Sequence, residues 1–392
     1  MNIVHVTPSA PYNENWGYQD NLLPRYHNKM GHTVTMITTN TMYKDGKIMP
    51  VECCDKMLDD GVRLIRLAKK EYPFQILTNL YEKIEILEWL RKIEPDCIFF
   101  HGLISTTIND AIIYKKEREA KGNICNIVQD NHLDYNIAYE GKNKLNAYVI
   151  RSFYRHLNRK SIKYVNRVYG VTPWRKEYAE NYFGIPHSKT DILIMGAEDE
   201  KIDFKHKENI RKSYREKNGV CENDFLIVTG GKLDEKKNID LLMEVCASIN
   251  GVKLMIFGSV QDNMKEKFGC ILNGADNIIF VGWIAADEVY NYFFAADLCF
   301  FPGQHSVLWE QACACKVPCV FEKWDGMGHV NNGGNSDFVF PINRKTIENK
   351  IKELQFTDKY YRMKSVAESK KTDIYLYSKI AEKSLECMKS ND

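Results

Sequence analysis

FLIVTGGKLDEKKNID, residues 225–240, is the stretch that decides the fold. Phe225–Thr229 is a short apolar run that predicts a strand, Gly230-Gly231-Lys232 reads as the turn that ends it, and Asn238 stands where a helix N-cap belongs, ahead of a helix through about Ser248. Working outward, Lys253–Phe257 and Ile278–Val281 predict further strands, followed by a helix around Asp287–Ala295, a strand over Leu298–Phe301, a helix from about Ser306 to Ala314 and a strand over Cys319–Phe321. The same rhythm opens the chain, with Ile3–Val6, a loop Pro8–Gly17, a helix from about Asp20 to Met30 stopped by Gly31-His32, and Val34–Thr38. Strands alternating with helices imply a parallel sheet, here built twice, so the class is α/β with two doubly wound domains.

A charged stretch from Glu200 to Lys217 follows the last strand of the first half and marks the boundary. The expected division is 1–200, 201–365 and a C-terminal segment 366–392 whose amphipathic pattern lets it pack on either domain, a return to the first included. The chain has 392 residues, within the length of two or three domains at roughly 100–200 residues each. With 44% hydrophobic and 12% aromatic residues it has material for a core, and no window offers the roughly 18 uninterrupted apolar residues of a membrane span. Lys+Arg 54 against Asp+Glu 52 gives +2, which argues against a protein that binds nucleic acid through its phosphates. Met1–Val6 lacks the basic start and long apolar run of a signal peptide, so the expected location is cytoplasmic and the twelve cysteines are expected to be reduced. Cys313, Cys315 and Cys319 fit no zinc spacing; they read as small buried residues, and no metal ligand is expected.

Ligands of doubly wound sheets bind beyond the carboxyl ends of the strands, so the loops after strands carry the chemistry. After Thr229, two glycines let a backbone approach a ligand, and Lys232 and Lys237 together with the following helix N-terminus suit a pyrophosphate; a solvated basic turn fits the same residues. After Phe301 comes PGQHSVLWEQACA, residues 302–314. With Ser306 as N-cap, Glu310 is the fourth helical residue, beyond the position a capping box uses, and its side chain leans back toward the loop. There it can accept hydrogen bonds from ribose hydroxyls, or it is an exposed helix glutamate.

The order GGKL, EKKNID, LMIFGS, IIFVGW, YFFAADLCFFPG and WEQACACKVPCV resembles the donor-binding domain of the retaining nucleotide-sugar glycosyltransferases of family 4. IVHVTPSAPY, GHTVTMITT, PDCIFFHG and NRVYGVTPWRKEY are similar to the family's first domain. The resemblance implies the GT-B fold, two Rossmann-like domains facing across a cleft. It implies that Lys232 and Lys237, with Gly231, bind the donor diphosphate, that Glu310 binds ribose, with Ser306 and Val307 beside it, and that Gly17 sits near the phosphates or the transferred sugar. A histidine next to that sugar is matched by His132 in QDNHLDY, flanked by Asp130, with His101 as the competing candidate. The family's sugar-contacting glutamate, eight residues before the ribose glutamate, is replaced here by Pro302, so Gln304 or His305 takes over that contact, or His305 is a plain loop residue.

The resemblance also implies transfer with retention, with lysines and helix amides expected to stabilise the leaving diphosphate in place of a metal and no cofactor expected beyond the nucleotide-sugar co-substrate. Lys142–Arg167 contains eight basic and no acidic residues, with Arg151, Arg155 and Arg159 on one helix face. That face suits an anionic membrane surface or a lipid-linked acceptor, or it is a solvated helix. The expected activity is sugar transfer from a nucleotide-diphosphate donor to a glycan or lipid-linked acceptor, in surface polysaccharide or glycoconjugate synthesis, at the inner face of the membrane. A sugar-nucleotide epimerase and a non-catalytic nucleotide-sugar binder are the alternatives.

Overall fold

The structure is a computed structural model that describes residues 1–14, 16–135 and 144–388, for 144–146 the backbone alone. It divides into two compact units, Met1–Ile194 with Ile380–Asp392, and Met195–Lys379. The division thus falls six residues before the expected end at 200, and the charged stretch belongs wholly to the second unit. The chain re-enters the first unit at Ile380 rather than at 366, because the helix Asp358–Ala367 packs its buried Tyr360 and Met363 into the core of the second unit.

The strands of the first unit are β1 (Asn2–Thr7), β2 (Thr33–Thr39), the hairpin β3 (Thr41–Lys44) and β4 (Lys47–Pro50), β5 (Cys54–Met57), β6 (Arg63–Leu67), β7 (Cys97–His101), β8 (Asn126–Asn131), β9 (Arg167–Gly170) and β10 (Thr190–Ile192). Eight of them form one sheet in the order β10-β9-β8-β7-β1-β2-β6-β5, parallel except for the β5–β6 pair. The period of two along each strand puts Val4, Val6, Ile98, Phe100 and Ile127 into one core. His5 and Phe99 therefore belong to the opposite face, where they pair in register on neighbouring strands.

The second unit carries β11 (Phe225–Leu233), β12 (Val252–Val260), β13 (Ile278–Gly282), β14 (Leu298–Phe301), β15 (Cys319–Glu322) and β16 (Ser336–Val339), all parallel, in the order β13-β12-β11-β14-β15-β16. The expected turn Gly230-Gly231-Lys232 is strand: β11 runs through it in register with Phe257, Gly258 and Ser259 of β12. A Cβ on Gly258 would lie 1.9 Å from the Gly231 carbonyl oxygen, so the absence of side chains is what lets the two strands extend side by side. Asn238 does precede the helix Ile239–Cys246, but its backbone is left-handed and its side chain makes no cap bond.

Candidate functional site

In the second sheet the strand order reverses between β11 and β14, and the loops at the carboxyl ends of those strands interlock. Asn238 Nδ2 donates to the Pro302 carbonyl at 2.9 Å, the Gln304 amide donates to the Lys236 carbonyl at 2.9 Å, and the Lys237 ammonium donates to the Gln304 carbonyl. Gly303 permits this approach, since a Cβ there would come within 2.5 Å of Lys237 Cα. Burial lowers the Lys237 ammonium pKa from its ordinary value, against an opposing pull from Asp234. Lys232 and Gln304 are exposed, and Gly231 adopts φ +117°.

The helix after this loop is Leu308–Ala314, with Val307 rather than Ser306 at its N-cap, so Glu310 is its third residue and not its fourth. Glu310 makes no cap bond and has no exposed surface, which excludes the exposed helix glutamate. Its Oε1 accepts from His305 Nε2 at 2.8 Å and from His329 Nε2 at 2.7 Å. Burial alone would raise its pKa; the two imidazoles outweigh that and hold the carboxyl at about 2. Oε2 is buried and has no hydrogen-bond partner among the described residues. His305 is accordingly more than a plain loop residue, and its Nε2 is committed to Glu310 rather than turned to a ligand. His329 escaped the sequence reading, because the only signal was its place in a loop after β15.

His305, Glu310 and His329 are also the group of described residues whose donor atoms, all within 4.8 Å of one another, could hold a metal ion. Cys313 and Cys319 instead donate to the carbonyls of Val330 and Val317 at 3.5 and 3.2 Å, and both are buried with Cys315.

In the first sheet the order reverses between β1 and β7. His101 ends β7, Asp130 lies in register beside it on β8, and Asp20 stands in the first turn of the helix Gln19–Lys29 that follows β1. Asp130 is fully buried; its Oδ1 accepts from the Gly102 amide at 3.0 Å and its Oδ2 from His101 Nδ1 at 2.7 Å. Burial would raise its pKa, but His101 and His132 outweigh burial and keep it below the ordinary carboxylate range. Burial raises the Asp20 carboxyl against the pull of His101 and His132. His101 has both ring nitrogens engaged, the second at 3.0 Å from His5 Nδ1, whereas His132, 42% exposed, reaches Asp130 only at 3.4 Å. Gly17 is exposed in the loop after β1. Beside that loop a cavity of about 480 Å³ is lined by Glu14, Trp16, Lys56 and Arg66 among others.

The basic helix is Lys144–Ser161; Lys142 lies outside the described residues. Arg151 sits over the Tyr182 ring at 4.5 Å, so part of the basic face packs within its own unit. No helix among the described residues is long and apolar enough to cross a membrane.

Residues 210–370 match the family described as Glycosyl transferases group 1. An uncharacterized glycosyltransferase of Methanocaldococcus jannaschii is 23% identical over 191 residues, which is 46% of this chain. That match covers 48% of the relative, so the chain spans about half the length of the curated protein it resembles. A glycosyltransferase from Rickettsia africae ESF-5 superposes with a TM-score of 0.69 at 16% identity, over 100% of this chain and 99% of its own. HepE of Anabaena, solved in complex with UDP, superposes with a TM-score of 0.66 at 15% identity over the whole of both chains. The fold is therefore that of the GT-B glycosyltransferases, two α/β domains built on Rossmann-like parallel sheets. The family match supports glycosyl transfer.

Proposed function

We propose that this protein is a retaining glycosyltransferase that moves a sugar from a nucleotide-diphosphate donor to a glycan or lipid-linked acceptor without a metal ion. The observation that carries the reading is Glu310 Oε2, a buried ionised acceptor with no partner among the described residues, at the head of a helix beside the two interlocked loops. A ribose hydroxyl is a donor of the right kind to satisfy it, once the covering histidines make room. Lys232, with Lys237 released from the Gln304 carbonyl, neutralises the diphosphate, and amides of the same loops complete the anion site. As the sugar–phosphate bond breaks, these groups stabilise the charge that builds on the leaving phosphate.

In the first unit Asp130 and His101 satisfy each other, which leaves His132 as the imidazole best placed to meet the transferred sugar. Trp16 and the carboxylate of Glu14 give the cavity beside the loop after β1 the apolar face and polar edge that suit a sugar acceptor. The unpacked part of the helix Lys144–Ser161 serves a cytoplasmic enzyme at an anionic membrane surface, in the synthesis of surface polysaccharide or glycoconjugate.

Incubation of the protein with a panel of nucleotide sugars tests the reading. Nucleotide diphosphate release with sugar transfer or slow hydrolysis is expected, with the anomeric configuration kept. An isomerised donor assigns an epimerase, and saturable binding without turnover assigns a sensor; either outcome overturns the proposal.

A further inference from the structure

The face of the first sheet opposite Val4 and Val6 holds a line of imidazoles, of which His5 and His27 have no part in the transfer reading. His101 Nε2 is 3.0 Å from His5 Nδ1, and His5 Nε2 is 3.0 Å from His27 Nδ1. His27 Nε2 is 2.8 Å from Ser384 Oγ and 3.4 Å from the Ala381 carbonyl oxygen. His5, His27 and Ser384 have no exposed surface, and the His5 ring stacks on His101 with centroids 5.2 Å apart. The first end of the line is Asp130, and the last is the helix Tyr377–Ser384, whose final residues belong to the first unit.

Protons in this line can be counted. A neutral imidazole has one N–H and one lone pair, and an ionised carboxylate only accepts, so His101 carries a proton on Nδ1. If all three imidazoles are neutral, His101 Nε2 must accept from His5, His5 Nε2 must accept from His27, and His27 Nε2 must accept from the Ser384 hydroxyl. The Ser384 Oγ lies 2.8 Å from the Ala381 carbonyl oxygen, a contact that only that same hydroxyl proton bridges. One proton cannot serve both, and the His27 lone pair would also face the Ala381 carbonyl. One added proton, on His101, reverses the direction: His101 donates to His5, His5 to His27, His27 to Ser384, and Ser384 to Ala381. Every donor then meets an acceptor.

We propose that His5, His27 and His101 form one titrating unit that carries a single proton beyond the neutral count, held at His101, and that His5 and His27 are positioning residues that keep His101 doubly protonated beside Asp130. The charges around the line agree with that placement. His101 faces Asp130 on β8 and Asp20 on the helix after β1, with His132 reaching the same Asp130 oxygen at 3.4 Å, while His5 faces the two other imidazoles. His27 faces the Ala381 carbonyl and His32, which lies 3.4 Å from the amino group of Met1. Burial lowers His5 and takes His27 down to about 3; it would lower His101 too, but Asp130 outweighs it and raises that imidazole above its ordinary value.

Nitrogen-15 NMR of histidine-labelled full-length protein tests this without an activity assay, with signals assigned by single His→Gln replacements. At pH 7.5, one imidazole of the three is expected to show two protonated nitrogens and the other two one each. Three singly protonated imidazoles in the unmutated protein overturn the proposal, whatever the variants do. His5→Phe and His27→Phe remove an acceptor from the line, so the titration midpoint of His101 should fall by about one pH unit or more. His27→Gln keeps an acceptor for His5 and a donor for Ser384 and should leave that midpoint in place. An unmoved midpoint in both Phe variants, or an equal fall in His27→Gln, also overturns it.

Discussion

Each unit places a buried carboxylate, held by imidazole, near the carboxyl ends of its strands where the order reverses, and the two carboxylates are finished differently. Asp130 has both oxygens engaged, one by the Gly102 amide and one by His101. Glu310 spends one oxygen on two histidines, and the other has no partner among the described residues. A buried ionised acceptor with nothing to accept is costly, and the usual reasons for tolerating one are a ligand or a role in the chemistry. The satisfied carboxylate reads as scaffold and charge reference, the unsatisfied one as a binding point.

The largest effect expected from breaking this contrast lies in the backbone beneath the Glu310 side. Gly258→Ala puts a methyl group into the Gly231 carbonyl and forces alanine to φ +126°, so a loss of about 3 kcal/mol or more is expected by urea unfolding. A change under about 1 kcal/mol would mean that β11 and β12 can part without harm, and that the glycines serve the ligand rather than the sheet. Next in size is Glu310→Ala, expected to weaken donor binding by about 2–3 kcal/mol in calorimetry, as for a lost hydrogen bond to a charged group. Nucleotide affinity close to that of the unmutated protein would remove Glu310 from the site and end the contrast on that side.

His132→Ala comes third. Turnover should fall at least about tenfold while donor affinity changes little, because the half-buried imidazole touches Asp130 only loosely. His101→Ala sharpens the comparison by its different signature. It strips Asp130 Oδ2 of its donor, so thermal stability should fall together with activity. Full activity in His132→Ala with a loss confined to turnover in His101→Ala would reverse the assignment.

How far these features could be read from residues alone depended on what surrounds each one. Leu298–Phe301 is a strand over the residues expected, since an apolar run bounded by Asp297 and Pro302 leaves little choice of ends. Gly230-Gly231 misled, because a glycine pair usually ends a strand, and the partner that keeps this one going, Gly258, is set by register. The exposed hairpin β3–β4 and the antiparallel edge strand β5 were missed as well, being short and carrying little apolar periodicity. Glu310 was legible by its motif, but its third helical position and its cover by His329, nineteen residues on, were not. His5 and His27 are single histidines in an apolar strand and a mixed helix; that they meet each other and His101, 96 residues from His5, depends on a shared face that sequence spacing does not reveal.

The smallest expected effect concerns metal. His305, Glu310 and His329 offer the donor types of a divalent site, and the proposed mechanism has no metal step. Their geometry is that of two N–H donors converging on one carboxylate oxygen, at 2.8 and 2.7 Å. A metal ion in their place would require both Nε2 atoms to present lone pairs, which moves the His329 proton to Nδ1, a buried atom with no hydrogen-bond partner among the described residues. Ligated histidines are normally steadied through that second nitrogen, so the hydrogen-bonded arrangement satisfies more of these atoms than a metal would. Treatment with EDTA followed by dialysis should therefore leave donor affinity and melting temperature unchanged, and elemental analysis should find no stoichiometric zinc. One zinc per chain, lost with donor affinity on chelation, would turn Glu310 from an acceptor awaiting a hydroxyl into a metal ligand and make the second site unlike the first in kind.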